Sequence, residues 1–248
     1  MAKKDEKIVY LDKSGKRPDG RKVDELRPIK AVAGVLPRAD GSAYVEWGQN
    51  KVYAGVFGPK ECLPKHSANS LKANIRYYYR MATFSVPDRK NPRPGRREIE
   101  ISKVSKEALE SAVMVEKYPE SAIDVTVEII DSNAGTRIAA LTAASIALAD
   151  AGIPMKDLVC GVSVGKVDGN IMLDLTKEEE DAHDAVDIPI AMLPNTGEIS
   201  LLQLDGLFKK EEWAEAIELA KKGCMQIRDI QREALKNKYP TEEKEKKA

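Results

Sequence analysis

The heptapeptide Asp131-Ser132-Asn133-Ala134-Gly135-Thr136-Arg137 decides how this chain folds, because of what stands on either side of it. Before it, Ile123-Asp124-Val125-Thr126-Val127-Glu128-Ile129-Ile130 alternates in the manner of a strand. After it, residues 138–150 are a run of Ala, Leu, Ile and Ser that a buried helix explains. Glycine, a hydroxyl and a guanidinium therefore sit where a strand turns into a helix. A helix start exposes unpaired N–H groups and the positive end of the dipole, which makes it a natural seat for phosphate. In this reading Thr136 caps the helix or donates to an anion, and Arg137 adds a planar fork of donors. A plain capped helix with a surface arginine accounts for the same residues without a ligand.

Working outward, residues 98–118 carry Ile101, Val104, Ala108, Ala112 and Val113 at the spacing of an amphipathic helix. Ala151-Gly152-Ile153-Pro154 stops the buried helix. Hairpins are expected where residues 42–47 and 51–57 flank Gly48-Gln49-Asn50, and where residues 158–164 and 171–175 flank Asp168-Gly169. A third joins residues 188–193 to 198–204 through a Pro-Asn-Thr-Gly turn. The last helix spans about residues 209–238, with Trp213, Ile217, Ala220, Cys224 and Ile227 along one face. Residues 58–97, rich in Pro, Lys, Arg and Tyr with little periodicity after Tyr79, read as a long basic connection. Arg17-Pro18-Asp19-Gly20-Arg21 is a turn, and the first seven residues and the Glu-Lys tail from Tyr239 read as frayed ends. The expectation is an α+β fold, mixed sheets packed with helices, in a single domain with its core at about residues 15–235.

No apolar run approaches the roughly 18 residues needed to cross a membrane, and residues 1–7 carry no signal-peptide core. Cys62, Cys160 and Cys224 are too scattered for a metal or redox motif, so a cytoplasmic, reducing setting is expected. The net charge of zero hides an asymmetry. Residues 51–100 hold eleven Lys/Arg against four Asp/Glu, whereas residues 174–218 hold thirteen acids against three lysines. A basic region in a neutral protein points to a local polyanion site, and the acidic one to a solvated face or a divalent cation.

Asp181 and Asp187 lie six residues apart, and in an extended segment that separation puts both carboxylates on one face. Such a pair suits Mg²⁺, which takes one or two carboxylates plus substrate oxygens and water, or proton transfer. Glu178-Glu179-Glu180 and Asp184 crowd the same stretch, so a solvated acidic loop is the competing reading. Arg96-Arg97 closes the basic connection and could clamp a phosphodiester backbone. Lys60, Lys65, His66, Lys72, Arg76 and Arg80, with Tyr77-Tyr78-Tyr79, mix cations and aromatics as a single-strand channel does, although some of these tyrosines suit a core strand better. No nucleophile–histidine–acid motif accompanies His66 or His183. A phosphate seat, arginines and paired carboxylates fit phosphoryl transfer by positioning and electrostatics.

Arg17-Pro18-Asp19-Gly20-Arg21, Asp24-Glu25-Leu26-Arg27-Pro28-Ile29, Ala39-Asp40-Gly41-Ser42-Ala43, Gly135-Thr136-Arg137 and the pair Asp181 and Asp187 together resemble the RNase PH family, over about residues 15–235. Within it, Gly58-Pro59-Lys60-Glu61, Arg96-Arg97-Glu98-Ile99-Glu100 and Ala149-Asp150-Ala151-Gly152-Ile153-Pro154 are most similar to the catalytic RNase PH-like subunit of the archaeal exosome. The resemblance implies the RNase PH variant of the ribosomal protein S5 domain 2-like architecture. It implies 3′→5′ phosphorolysis of RNA, with inorganic phosphate as co-substrate, nucleoside diphosphates as products, and tail synthesis as the reverse reaction. Gly135, Thr136 and Arg137 would hold phosphate; Arg96 and Arg97 would meet the RNA backbone and the attacking phosphate. Asp181 would be the main catalytic acid or metal ligand, and Asp187 would complete a site for Mg²⁺ or Mn²⁺. Lys65 and His66 would fall at the RNA entrance. The implied partners are single-stranded RNA, an inactive RNase PH-like paralogue in a hexameric ring (a trimer of heterodimers), and RNA-binding caps carrying S1 or KH domains.

Three other readings compete: a stand-alone RNase PH trimming tRNA 3′ ends, a non-catalytic RNA-binding ring subunit, and a hydrolytic metal-dependent nuclease. The residues around Gly58-Pro59 disfavour the first, and the intact Asp181, Asp187 and Arg137 the second. The third has no need of a Gly-Thr-Arg anion site.

Overall fold

Alternation sets the first sheet. It contains β1 (Ile29–Ala33), β2 (Gly41–Trp47), β3 (Asn50–Glu61), β4 (Asn74–Met81) and β5 (Ser121–Asp131), in the spatial order β1-β2-β3-β5-β4. Along β5, Ile123, Val125, Val127 and Ile129 are buried, while Asp124, Thr126 and Glu128 face outward. The second sheet contains β6 (Cys160–Val167), β7 (Asn170–Leu173), β8 (Val186–Leu193) and β9 (Glu198–Leu202), ordered β7-β6-β8-β9. The helices are α1 (Arg96–Ala112), α2 (Thr136–Asp150), the single turn α3 (Lys177–Glu180) and α4 (Trp213–Lys238). This computed structural model describes residues 10–12 and 15–239; the terminal segments read above as frayed, apart from Tyr239, lie outside them.

The run of Ala, Leu and Ile that follows Arg137 is buried nearly all round because α2 lies between the sheets. It packs on β2, β3 and β5 on one side and on β6 and α4 on the other. The contact is close: a Cβ on Gly41 would stand 2.2 Å from the backbone nitrogen of Ala151 and 2.3 Å from the carbonyl oxygen of Ala147. One continuous core joins Val125 and Ile129 of the first sheet, Ile138 to Leu148 of α2, and Val162 and Ile190 of the second. That arrangement carries the start of α2 to the gap between the two sheets.

Two expectations need correction. The basic connection contains a strand, β4, paired parallel to β5 with Tyr77 opposite Val125 and Tyr79 opposite Val127. Ile75, Tyr77 and Tyr79 are buried and Tyr78 is exposed; three tyrosines in succession give no polarity contrast, so the period of two was hidden. The first helix stops at Ala112 rather than near Tyr118, because Val113 turns extended and bridges Met155, with a 3₁₀ turn at Val115–Lys117. Among the described residues no helix is long and apolar enough to cross a membrane.

Candidate active site

The chain enters α2 through two residues of positive φ, Ala134 at 26° and Gly135 at 69°. Gly135, not Thr136, is the N-cap, and no side chain caps the helix. Thr136 therefore begins the helix, and its hydroxyl oxygen accepts a 2.9 Å hydrogen bond from the Tyr79 hydroxyl. Burial pushes the Tyr79 phenol up to about 12, so it stays a donor at neutral pH and leaves the Thr136 proton free for another acceptor. Among the described residues, no protein acceptor takes the backbone N–H of Ala134, Gly135, Thr136 or Arg137.

Arg137 extends from the first turn into a cavity of about 330 Å³ that Arg97, Glu180, Asp187 and Gln203 also line. Its guanidinium donates to Gln203 Oε1, while Gln203 Nε2 donates to Glu100 at 2.6 Å, with Glu100 itself 3.8 Å from Arg137. Gly135, Thr136 and Ser163 line an adjoining niche with the same two arginines and two carboxylates. Asp187 accepts the hydroxyl of Ser163 on β6. Burial raises the Asp187 pKa most; the Ser163 hydrogen bond opposes it, Glu180 adds repulsion, Arg137 and Arg97 pull down, and the net is a raised value.

The segment joining the two predicted aspartates is not extended. Asp181 closes the single turn of α3 and Asp187 lies on β8, so the same-face argument fails: a capping box at Thr176 and Glu179 coils the chain before the strand begins. Asp181 is 62% exposed, accepts from Lys177 Nζ at 2.6 Å, and faces a neighbouring cavity of about 710 Å³ with Phe84, Lys177 and Arg97. Glu180 lines both cavities. Among the described residues, no three His, Cys, Asp or Glu side chains are grouped to hold a metal unaided. Asp187 and Glu180 fit Mg²⁺ or Mn²⁺ only with substrate oxygens and water completing the shell, which is how Mg²⁺ is usually held.

The remaining cations divide. Arg97 lines every cavity around the start of α2, whereas the exposed Arg96 beside it lines none of those described. Lys65 and His66 sit on an exposed 3₁₀ turn, with Lys65 3.5 Å from Glu61, and border none of these cavities. Several of these cations are paired with carboxylates: Lys60 with Asp124, Lys72 with Glu110, and Lys90 with the buried Glu98. His183 is exposed, 3.0 Å from Asp184.

Sequence reasoning missed the ionic frame behind this site. Arg17 is buried, donates to both oxygens of Glu179, and donates to the carbonyls of Leu173 at 2.6 Å and Asp174 at 2.9 Å. Arg27 grips Asp174 through its backbone N–H at 2.7 Å, Nε at 3.0 Å and Nη2 at 2.7 Å, and Trp47 Nε1 adds a fourth bond at 3.0 Å. Burial raises the Asp174 pKa, but the charge and hydrogen bonds of Arg27 and the Trp47 bond outweigh it and hold the carboxyl below its ordinary range. Its contribution to stability is thus fully present above the unfolded pKa, near ~3.9, and is lost as pH falls through the lower folded value. Asp174→Asn, followed by guanidinium unfolding, is expected to cost roughly 3–5 kcal/mol at pH near ~7 and progressively less toward pH ~2. A loss that did not shrink on acidification would deny Asp174 its charged role.

Against known proteins, residues 25–154 match the model of domain 1 of the 3′ exoribonuclease family (RNase PH), and residues 157–223 match that of domain 2. The exosome complex component Rrp41 of Thermococcus kodakarensis is 54% identical over 239 residues, covering 96% of each chain. That of Thermoplasma volcanium is 55% identical over 236 residues, covering 95% of each. The crystal structure of rice Rrp46 superposes with a TM-score of 0.78 at 27% identity, over 88% of this chain and all of that one. The Archaeoglobus fulgidus exosome with RNA bound to its active site gives 0.75 at 22% identity, over 87% and 92%, a likeness of fold.

Proposed function

The chain belongs to the RNase PH family of 3′ exoribonucleases, and from that premise we propose that it is the catalytic subunit of a phosphate-dependent exosome. It shortens RNA from the 3′ end by phosphorolysis. The observation that carries this reading is the unpaired N-terminal end of α2, with Arg137 beside it, in one cavity with Arg97, Asp187 and Glu180. An anion-accepting helix start suits a free phosphate nucleophile, which hydrolysis by water does not require.

In this mechanism the N–H groups of the 134–137 turn, the Thr136 hydroxyl and the Arg137 guanidinium hold inorganic phosphate. Arg97, and Arg96 beside it, meet the RNA backbone; Lys65 and His66 guide the strand from farther out. An oxygen of the bound phosphate attacks the terminal phosphodiester phosphorus, and the bond to the 3′ oxygen of the preceding nucleotide breaks. That oxygen takes up a proton, and the last nucleotide leaves as a nucleoside diphosphate. The reverse reaction adds nucleotides to the 3′ end. Asp187, Asp181 and Glu180 are the carboxylates available to a Mg²⁺ or Mn²⁺ ion and to proton transfer. When bound, the ion neutralises charge on the phosphate oxygens.

A hexameric ring with an inactive paralogue, capped by S1- or KH-domain subunits, is the assembly this reading implies. Support comes from Leu202, Leu204 and the 92% exposed Leu207, which leave apolar surface beside β9. The three buried, unpaired cysteines suit a reducing, cytoplasmic compartment.

The test is to incubate purified chain with single-stranded RNA and Mg²⁺, with and without phosphate, alone and with the paralogue. Phosphate-dependent shortening that requires the paralogue is expected. Activity of the chain alone favours the stand-alone enzyme, and a ring that binds RNA but never shortens it overturns catalysis.

A further inference from the structure

For the start of α2 to hold an anion, the backbone of the 133–136 loop must be turned so that its N–H groups, rather than its carbonyls, face the anion. Arg27 stands directly behind that loop. Its Nη1 donates to the carbonyl oxygen of Asn133 at 3.2 Å and its Nη2 to that of Ala134 at 3.2 Å. Asn50, buried in the β2–β3 hairpin, clamps the same stretch from the side. Its Nδ2 donates to the Ala134 carbonyl at 2.8 Å, and its Oδ1 accepts the Asn133 N–H at 2.5 Å.

A trans peptide points its N–H opposite to its C=O. The only cis bonds in the described chain are at Gly58-Pro59 and Leu63-Pro64, so the peptides after Asn133 and Ala134 are trans. Drawing the two carbonyls back onto Arg27 and Asn50 therefore turns the N–H groups of Ala134 and Gly135 the other way. Successive N–H groups in such a turn form a concave, anion-accepting nest that continues into the free N–H groups of the first helical turn. The arrangement is tight: a Cβ on Gly135 would come within 3.2 Å of Arg27 Nη2. Arg27 is not itself an anion site, because it is 7% exposed and its charge is taken up by Asp174.

We propose that Arg27 and Asn50 are positioning residues that set the phosphate-accepting face of the 133–136 loop by holding the Asn133 and Ala134 carbonyls away from it. This inference rests on the phosphorolytic reading and extends it to residues that do not touch substrate.

Arg27→Lys and Asn50→Asp test it in the full chain, assembled as the wild-type assay requires. Lysine keeps a charge against Asp174 but lacks the planar fork that reaches two carbonyls. Aspartate keeps the acceptor for Asn133 N–H, loses the donor to Ala134, and leaves Arg27 and Asp174 paired; it carries the test alone if Arg27→Lys does not fold. For each variant the KM for phosphate is expected to rise about tenfold or more, with the KM for RNA and the kcat at saturating phosphate within about threefold. A fall in kcat with unchanged phosphate KM, the signature of fewer folded molecules, overturns the inference. So does full wild-type behaviour of Arg27→Lys. Wild-type protein that shortens RNA without phosphate overturns the phosphorolytic reading and this inference together, and that result is seen before any variant is made.

Discussion

Arg137→Ala is expected to lower kcat/KM for phosphate by roughly 100-fold or more while leaving the affinity for RNA within a few-fold. A single preorganised donor to a developing phosphoryl charge is worth about that much, and a guanidinium more than most because it donates twice. The effect should not be one of folding. Arg137 makes its side-chain contacts with Gln203 and the half-exposed Glu100, which keep each other when it is removed. Initial rates across a range of phosphate concentrations decide the matter. An unchanged dependence on phosphate removes the start of α2 from the nucleophile's seat.

Asp181→Ala is expected to depress turnover by about 10³-fold or more with RNA binding intact, the pattern for a group that acts on the chemistry alone. This substitution is unusually easy to interpret. Asp181 is largely exposed and its partner is the exposed Lys177. A surface pair of that kind contributes about 0–1 kcal/mol, so the melting temperature should barely move. The structure also supplies the alternative outcome. Asp187 and Glu180 share the cavity with Arg137, whereas Asp181 faces the neighbouring one. Unchanged turnover in Asp181→Ala, with loss in Asp187→Asn, would assign the working carboxylates to Asp187 and Glu180.

The parts of the fold that were legible in the sequence are those where burial alternates cleanly. The strand before Gly135, the all-round apolar helix after it, and the hairpins at Asp168-Gly169 and Pro194-Asn195-Thr196-Gly197 each combine a period with a turn signal. The strand β4 was legible only in part: some of its tyrosines suited a core strand, but Tyr77, Tyr78 and Tyr79 present the same side chain to opposite environments and hide its alternation. Within the site, Arg97 and Arg137 could be picked out by residue type and neighbours, whereas Asp187 was reached through a same-face argument that the coil of α3 breaks. Glu180 was hidden in a row of acids, and only the coiling of α3 distinguishes it from Glu178. Arg27, Asn50 and Asp174 could not be connected at all. Their partners lie 83 to 147 residues away, and nothing local marks an arginine that will be buried against a distant carboxylate. The motifs holding Arg17 and Arg27 resemble the family's, but motif membership gives no hint of what those side chains grip.

In the proposed mechanism the group bound at the start of α2 is the nucleophile. Radiolabelled inorganic phosphate, supplied with unlabelled single-stranded RNA and Mg²⁺ to the assembled enzyme, tests it directly. Nucleoside diphosphates carrying the label in their β-phosphate are the expected products. Unlabelled nucleoside monophosphates, released at the same rate with or without phosphate, would contradict it, for water would then be the attacking group and the anion seat would have some other use.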